Sequence, residues 1–325
     1  MDSNYLSGRI QAALLGIACG DSLGRSYEFL SRNEIREMFQ EIVDRDGGTH
    51  NQAKGTYTDD TCLTLCLTDS LCNGFDLEDI ADKFVKWYDD GLWAADGKTV
   101  FDIGISTRNA IKRLKSGVSP LESGDNDEYS NGNGSLMRIL PLVFYIKDIE
   151  IDDRFELTKQ VSSITHAHNR SVISCFYYLE FARLLLSSTE KLEAYRLANE
   201  TVKNYLISID IKEQELGCFD VLLSGNISDL PEELINSSGY VVDTLEASVY
   251  CLLTTQSFKE AAVKAVRFGL DADTTSAVTS GLTSLVYGLN SIPNEWLGEL
   301  ARRDEIDALA NRFADSICST NESQN

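Results

Sequence analysis

The chain has 325 residues, with 29 Lys or Arg against 51 Asp or Glu, a formal charge of −22. An apolar fraction of 43% is enough to build a core, which excludes wholesale disorder, and no stretch approaches the roughly 18 uncharged apolar residues of a membrane span. An acidic excess of this size excludes general binding to nucleic acid or anionic membrane, which needs clustered Lys and Arg. The opening residues Met1-Asp2-Ser3-Asn4-Tyr5 show neither a basic nor an apolar leader segment, so no signal peptide and a cytoplasmic location are expected. The eight cysteines form no C-x-x-C pair and are expected to be reduced core residues.

Helical periodicity dominates in chain order. Leu6, Ile10, Leu14 and Ile17 trace one buried helix face, and Gly16, Gly20 and Gly24 recur every four residues near its end. Those glycines have two readings of equal weight, close approach of another helix or close packing at a site, because each costs about 1 kcal/mol against Ala. Leu63, Leu67 and Leu71 give a second stripe, and Phe84 and Trp87 mark a third helix. The best strand candidate is the short run Gly239-Tyr240-Val241-Val242. Further stripes follow at Val249, Leu252 and Leu253, then Phe258, Ala262, Ala265 and Val266, then Val278, Leu282, Leu285 and Val286. Trp296, Leu300, Ile306, Leu309 and Phe313 close the series. The pattern predicts an all-α protein, a single compact domain over residues 1–318 with a polar tail over 319–325.

Two acidic clusters share one design. Thr58-Asp59-Asp60-Thr61 and Asp271-Ala272-Asp273-Thr274-Thr275 each run straight into a helical stripe. Helix capping explains one oxygen per cluster, worth about 1 kcal/mol, and carboxylates there also suit the helix dipole. Each cluster, however, offers two carboxylates and at least one hydroxyl, and adjacent carboxylates repel unless cations or protons compensate. Thr58, Asp59, Asp60, Asp271, Asp273 and Thr274 make an oxygen set suited to two Mg²⁺ or Mn²⁺ ions, and the absence of a Cys/His set argues against zinc or copper.

With these residues in view the chain resembles the ADP-ribosylglycohydrolase family. The resemblance runs from about Gly8 to Gly288 through Gly16-Ile17-Ala18-Cys19-Gly20-Asp21-Ser22-Leu23-Gly24, Glu28 and Gly55-Thr56-Tyr57-Thr58-Asp59-Asp60-Thr61. It continues with Phe101-Asp102-Ile103-Gly104, Asn131-Gly132-Asn133-Gly134-Ser135-Leu136-Met137-Arg138, Thr165-His166-Ala167-His168 and Asp271-Ala272-Asp273-Thr274. Six motifs in one order are a far stronger signal than any one alone. The resemblance implies an orthogonal multi-helix bundle with a binuclear magnesium or manganese centre. Its ligands would be Thr58, Asp59, Asp60, Asp271, Asp273 and Thr274, with Glu28 reaching a metal and gating the site. It also implies ADP-ribose contacts from Asp102, Asn131, Gly132, Asn133, Gly134, Ser135 and His166. Met137 reads as core, and Arg138 has two readings, a phosphate neighbour or one half of a structural ion pair, with the second favoured. His50, in a polar loop, carries no such support.

The implied reaction is metal-dependent hydrolysis at ribose C1″ that releases ADP-ribose from a modified protein side chain, most simply an arginine. Asp59, Asp60 and Glu28 are the catalytic carboxylates, with the choice of general base open. Rival readings are an immunity protein that reverses or blocks a partner ADP-ribosyltransferase, and a non-catalytic ADP-ribose binder. One departure from the family pattern concerns substrate preference: Gly269 is followed by Leu270 where relatives often carry a second small residue.

Overall fold

A computed structural model describes residues 3–322. Among them are seventeen α-helices, three 3₁₀ helices and no β-strand beyond isolated bridges, packed around one continuous apolar core. The expected polar tail, residues 319–325, is only partly described. The last helix runs Arg303–Glu322, so residues 319–322 prolong it, and residues 323–325 lie outside the described residues.

The glycine stripe sets the geometry of everything else. The first helix, Ser3–Arg25, lies along the helix Ala272–Tyr287. A Cβ on Gly16 would stand 2.8 Å from Ser284 Cβ, one on Gly20 2.5 Å from the Ser276 carbonyl, and one on Gly24 2.5 Å from Asp273 Cα. Small residues face small residues with a four-residue repeat on both helices, and the backbones meet as no side chain would allow. The close-approach reading of the stripe is therefore the structural one. It also serves the site, because it places the segment after Gly24, including Glu28, against the start of the second helix, where Asp271 and Asp273 lie.

Asp21, fully buried in the first helix, fixes the other acidic cluster. Its carboxylate accepts bonds from the backbone N–H of Thr58 at 3.0 Å and of Thr61 at 3.1 Å, and from the Thr61 hydroxyl at 2.5 Å. These bonds anchor the N-terminus of the helix Asp59–Leu71 on the same stretch of the first helix. Two helix N-termini thus converge at one place.

Four of the longer helices are buried on most sides: Asp59–Leu71, Asn169–Leu186, Val241–Thr254 and Ala272–Tyr287. Others are amphipathic, as in Leu77–Asp90, where Ile80, Ala81, Phe84 and Trp87 face the core and Gly91 closes the helix at φ 73°. The expected strand at residues 239–242 does not form. Val241 and Val242 begin the helix Val241–Thr254, and Tyr240 makes one isolated bridge to Gly132. The β-branched pair belongs to a helix whose face is buried, where packing overrides propensity. The cysteines form no disulfide among the described residues; Cys19, Cys62, Cys66, Cys175 and Cys251 are buried in the core, and Cys72, Cys218 and Cys318 pack against it.

Candidate active site

The two convergent N-termini open into a cleft of about 840 Å³ whose lining includes Glu28, Asp59, Asp60, Asp102, Asp271, Asp273 and Thr274. The acidic clusters, 211 or more residues apart in the chain, meet through the Thr274 hydroxyl, which donates to Asp60 Oδ1 at 3.3 Å. Oxygens of Glu28, Asp271 and Asp273 lie within 4.8 Å of one another. Asp59, Asp60, Glu28 and Asp273 are all buried. Burial, and then their neighbours' charges, holds Asp59, Asp60 and Asp273 well above the usual carboxylate range. Burial pushes Glu28 up to about 7 against the pull of its bond to His50.

A divalent cation suits this donor set. The carboxylates of Glu28, Asp271 and Asp273 form one group of oxygens close enough to share an ion, and Asp60 Oδ2 is buried without a hydrogen-bond partner. An orphaned carboxylate oxygen in a cluster of carboxylates is the arrangement a hard cation completes. His50 sits against this cluster, its Nε2 2.5 Å from Glu28 Oε2 and 3.4 Å from Asp102 Oδ1, and the bond to Glu28 raises its pKa.

One wall of the cleft is the glycine-rich loop. Gly132, Asn133 and Gly134 line it, and Asn133 Nδ2 donates to Asp271 Oδ2 at 2.6 Å and to Thr244 Oγ1 at 2.9 Å. The loop is pinned from behind by the Asn133 N–H to the Gly239 carbonyl and the Val241 N–H to the Asn131 carbonyl. A Cβ on Gly134 would stand 2.8 Å from His166 Cε1, so the imidazole packs where only glycine leaves room. His166 Nδ1 is 2.8 Å from Thr165 Oγ1, and burial pushes the ring down to about 3, which keeps it neutral.

Not every residue singled out from the sequence reaches the cleft. Thr58 caps its helix, its hydroxyl accepting from the Asp60 N–H at 3.4 Å, and it does not line the cleft. Asn131 donates to the Glu128 carbonyl, and Ser135 pairs with Ser162 and Cys175 behind the loop; neither lines the cleft. Arg138 is not in an ion pair. Fully buried over the Phe84 ring, it donates to the carbonyls of Gly134 and Val161, tethering the loop from below. Met137 is both core and lining. Sequence reasoning passed over Asp21 as an anchor and His50 as the partner of Glu28. The first stood inside a quoted motif, whereas the second carried no signal short of its fold position.

The molecule is thus an all-α protein whose cleft is floored by carboxylates from two helix N-termini. It belongs to the ADP-ribosylglycohydrolase family, a class of glycosidase-type hydrolases: the family model matches residues 1–322. The chain is similar to an ADP-ribosylarginine hydrolase, Tri1, of Pseudomonas putida, 32% identical over 94% of this chain and 78% of that one. It is also similar to the ADP-ribosyl-[dinitrogen reductase] glycohydrolase of Rhodospirillum rubrum, 28% identical over 93% of this chain and 95% of that one. A solved structure described as an ADP-ribosylglycohydrolase-related protein complex superposes with a TM-score of 0.78 at 29% identity, covering 97% of this chain and 99% of the other. No helix among the described residues is long and apolar enough to cross a membrane.

Proposed function

We propose that this enzyme hydrolyses the bond between ribose C1″ of ADP-ribose and an arginine side chain of a modified protein, releasing ADP-ribose, with two Mg²⁺ or Mn²⁺ ions bound at the cleft floor. The observation that carries the reading is the orphaned, buried Asp60 Oδ2 within a cluster of buried carboxylates from two helix N-termini. The similarity to an ADP-ribosylarginine hydrolase supports the choice of arginine.

Asp59, Asp60, Asp271, Asp273 and Thr274 would hold the cations, with Glu28 reaching in from the turn after the first helix and Thr58 capping the helix Asp59–Leu71. When bound, the cations supply Lewis acidity and neutralise the carboxylates. The chain's own residues do the rest. Bond cleavage builds positive charge at C1″, and a floor of preorganised carboxylates lies ready for it. Asp59, Asp60 and Glu28 face the cleft and are the acceptors available for the proton of an attacking water. The Gly132–Gly134 backbone, with no side chains in the way, lets a phosphate or ribose approach, and neutral His166 offers a hydrogen bond without adding charge. An ADP-ribosyltransferase partner, and an immunity role with it, is compatible with this activity and would show as co-purification of the two proteins.

The test is release of ADP-ribose from arginine-modified protein, with a serine-linked peptide beside it, in Mg²⁺ and in EDTA. Full turnover in EDTA would overturn the metal assignment, and release confined to the serine-linked peptide would overturn the linkage.

A further inference from the structure

The mouth of the cleft is unlike its floor. Phe29, Ile105, Tyr129 and Leu270 line it and are 64%, 75%, 96% and 46% exposed. Phe29 and Leu270 differ from the other two in how they are held. Phe29 has φ 65° and Leu270 φ 58°, a region that bulky residues seldom occupy. The two segments are stitched together: the Phe29 N–H donates to the Leu270 carbonyl at 2.6 Å, and the Leu270 N–H donates to the Leu30 carbonyl at 2.7 Å. Ser31 and Gly269 bridge behind them, and Gly269 itself, at φ 71°, has no room for a Cβ, which would stand 2.5 Å from the Leu30 carbonyl. Strained backbone that holds two large apolar side chains in solvent, each next in sequence to a carboxylate of the site, contributes nothing to the core. Its natural use is at the site.

We infer that Phe29 and Leu270 form an apolar ledge that binds the polypeptide part of the substrate, the segment flanking the modified arginine, and so set preference for protein-linked over free ADP-ribosyl-arginine. This rests on the proposed function. If C1″ sits over the carboxylate floor, the group on the far side of the scissile bond leaves past Glu28 and Asp271, and the next side chains it meets are Phe29 and Leu270. The arginine stem, common to both substrates, spans the carboxylates at the ledge's foot, and a protein substrate alone carries flanking residues on to the two apolar side chains beyond them. The Phe29 ring lies 6.2 Å from that of His50, and His50 in turn binds Glu28, so the ledge and the carboxylate are braced together.

Glycine suits the left-handed conformation at both positions, so Phe29→Gly, Leu270→Gly and the double variant are expected to fold with a Tm no lower than the parent's. Each is assayed with an arginine-modified protein and with free ADP-ribosyl-arginine. The expected result is a fall of about tenfold or more in the ratio of the two kcat/KM values for the double variant, carried by KM for the protein substrate, with Phe29→Tyr and Leu270→Met holding the parental ratio. Damage relayed to Asp271 or Glu28 would lower both values together and leave the ratio unchanged. An unchanged or raised ratio overturns the ledge while leaving the hydrolase reading standing. A parent enzyme that releases ADP-ribose from neither substrate overturns that reading, and the ledge with it.

Discussion

Two regions of this protein bury charge, and they do it in opposite ways. Between the helices Ile151–Ser163 and Asn169–Leu186, Glu180 is 1% exposed and fully matched: Arg154 Nε and Nη2 reach its two oxygens at 2.5 and 3.0 Å, and Arg183 adds a bond at 3.0 Å. Arg25, fully buried, is likewise saturated by Asp44 and the carbonyls of Gly47, Arg45, Ala53 and Thr56. The cleft floor gathers Asp59, Asp60, Asp271, Asp273 and Glu28 with one imidazole bonded to Glu28 and one carboxylate oxygen unbonded. Buried charge that is matched within the chain holds the fold; buried charge left unmatched marks where something else must bind.

The sharpest way to break that comparison is to remove one charge from each region. Asp273→Ala is expected to lower turnover by about three orders of magnitude while the metal-free protein's Tm holds or rises, because a repulsive neighbour has gone. Glu180→Ala strands the buried Arg154 guanidinium and unpairs the half-buried Arg183, and is expected to cost about 3–5 kcal/mol in urea unfolding, with kcat of the folded fraction kept. Equal stability losses in both variants would end the distinction. The second contrast is thermal: Mg²⁺ or Mn²⁺ at one hundred times its Kd is expected to stabilise the protein by about 2.7 kcal/mol, a gain that vanishes in Asp60→Asn and persists in Glu180→Ala.

How much of this was legible in the sequence follows from the same physics. Amphipathic helices such as Leu77–Asp90 show their buried face as a stripe. Asn169–Leu186 does not, because it is apolar on nearly every side and leaves no periodicity to read. The paired Asp and Thr runs were visible because no cap needs that many oxygens. Their meeting in space was not, since it depends on Gly16, Gly20 and Gly24 letting two distant helices touch. His50 was invisible for a related reason: a histidine in a polar loop gains meaning only when the fold sets it beside Glu28.

Asp21 tests the boundary between the regions, being buried like the floor yet bonded like the matched network. Asp21→Asn turns an acceptor of charge-assisted bonds into a neutral amide, with an expected loss of about 1–3 kcal/mol in urea unfolding. Because Asp21 anchors the N-terminus that carries Asp59 and Asp60, weaker Mn²⁺ binding by calorimetry should accompany that loss. Loss of stability with metal affinity intact would show that the anchor serves the fold alone.

Glu246 gives the smallest effect and the most searching one, since it is a half-buried carboxylate away from the cleft whose nearest charge is that of Asp243. Burial, and then the charge of Asp243, pushes it up to about 8, against an ordinary value of 4.5. A single carboxyl in this position can shed its charge by keeping one proton. Asp59, Asp60 and Asp273 stand in the first turns of two helices, crowded by one another, whereas Glu246 lies inside the helix Val241–Thr254, where a backbone bond from Leu222 only partly offsets its burial. Between pH 4.5 and 8 the native state therefore holds a proton at Glu246 that the unfolded chain has released, and stability falls as pH rises through that window. Below it, both states are protonated and the loss is absent. Gln carries no charge at any pH, so Glu246→Gln should be near neutral at pH 5 and stabilising by about 1–3 kcal/mol at pH 9, read from urea midpoints. Its metal-induced shift in Tm should match the parent's. If Glu246→Gln instead weakened cation binding, an unmatched carboxylate would be no guide to the site, and the contrast between the two regions would rest on the floor's crowding alone.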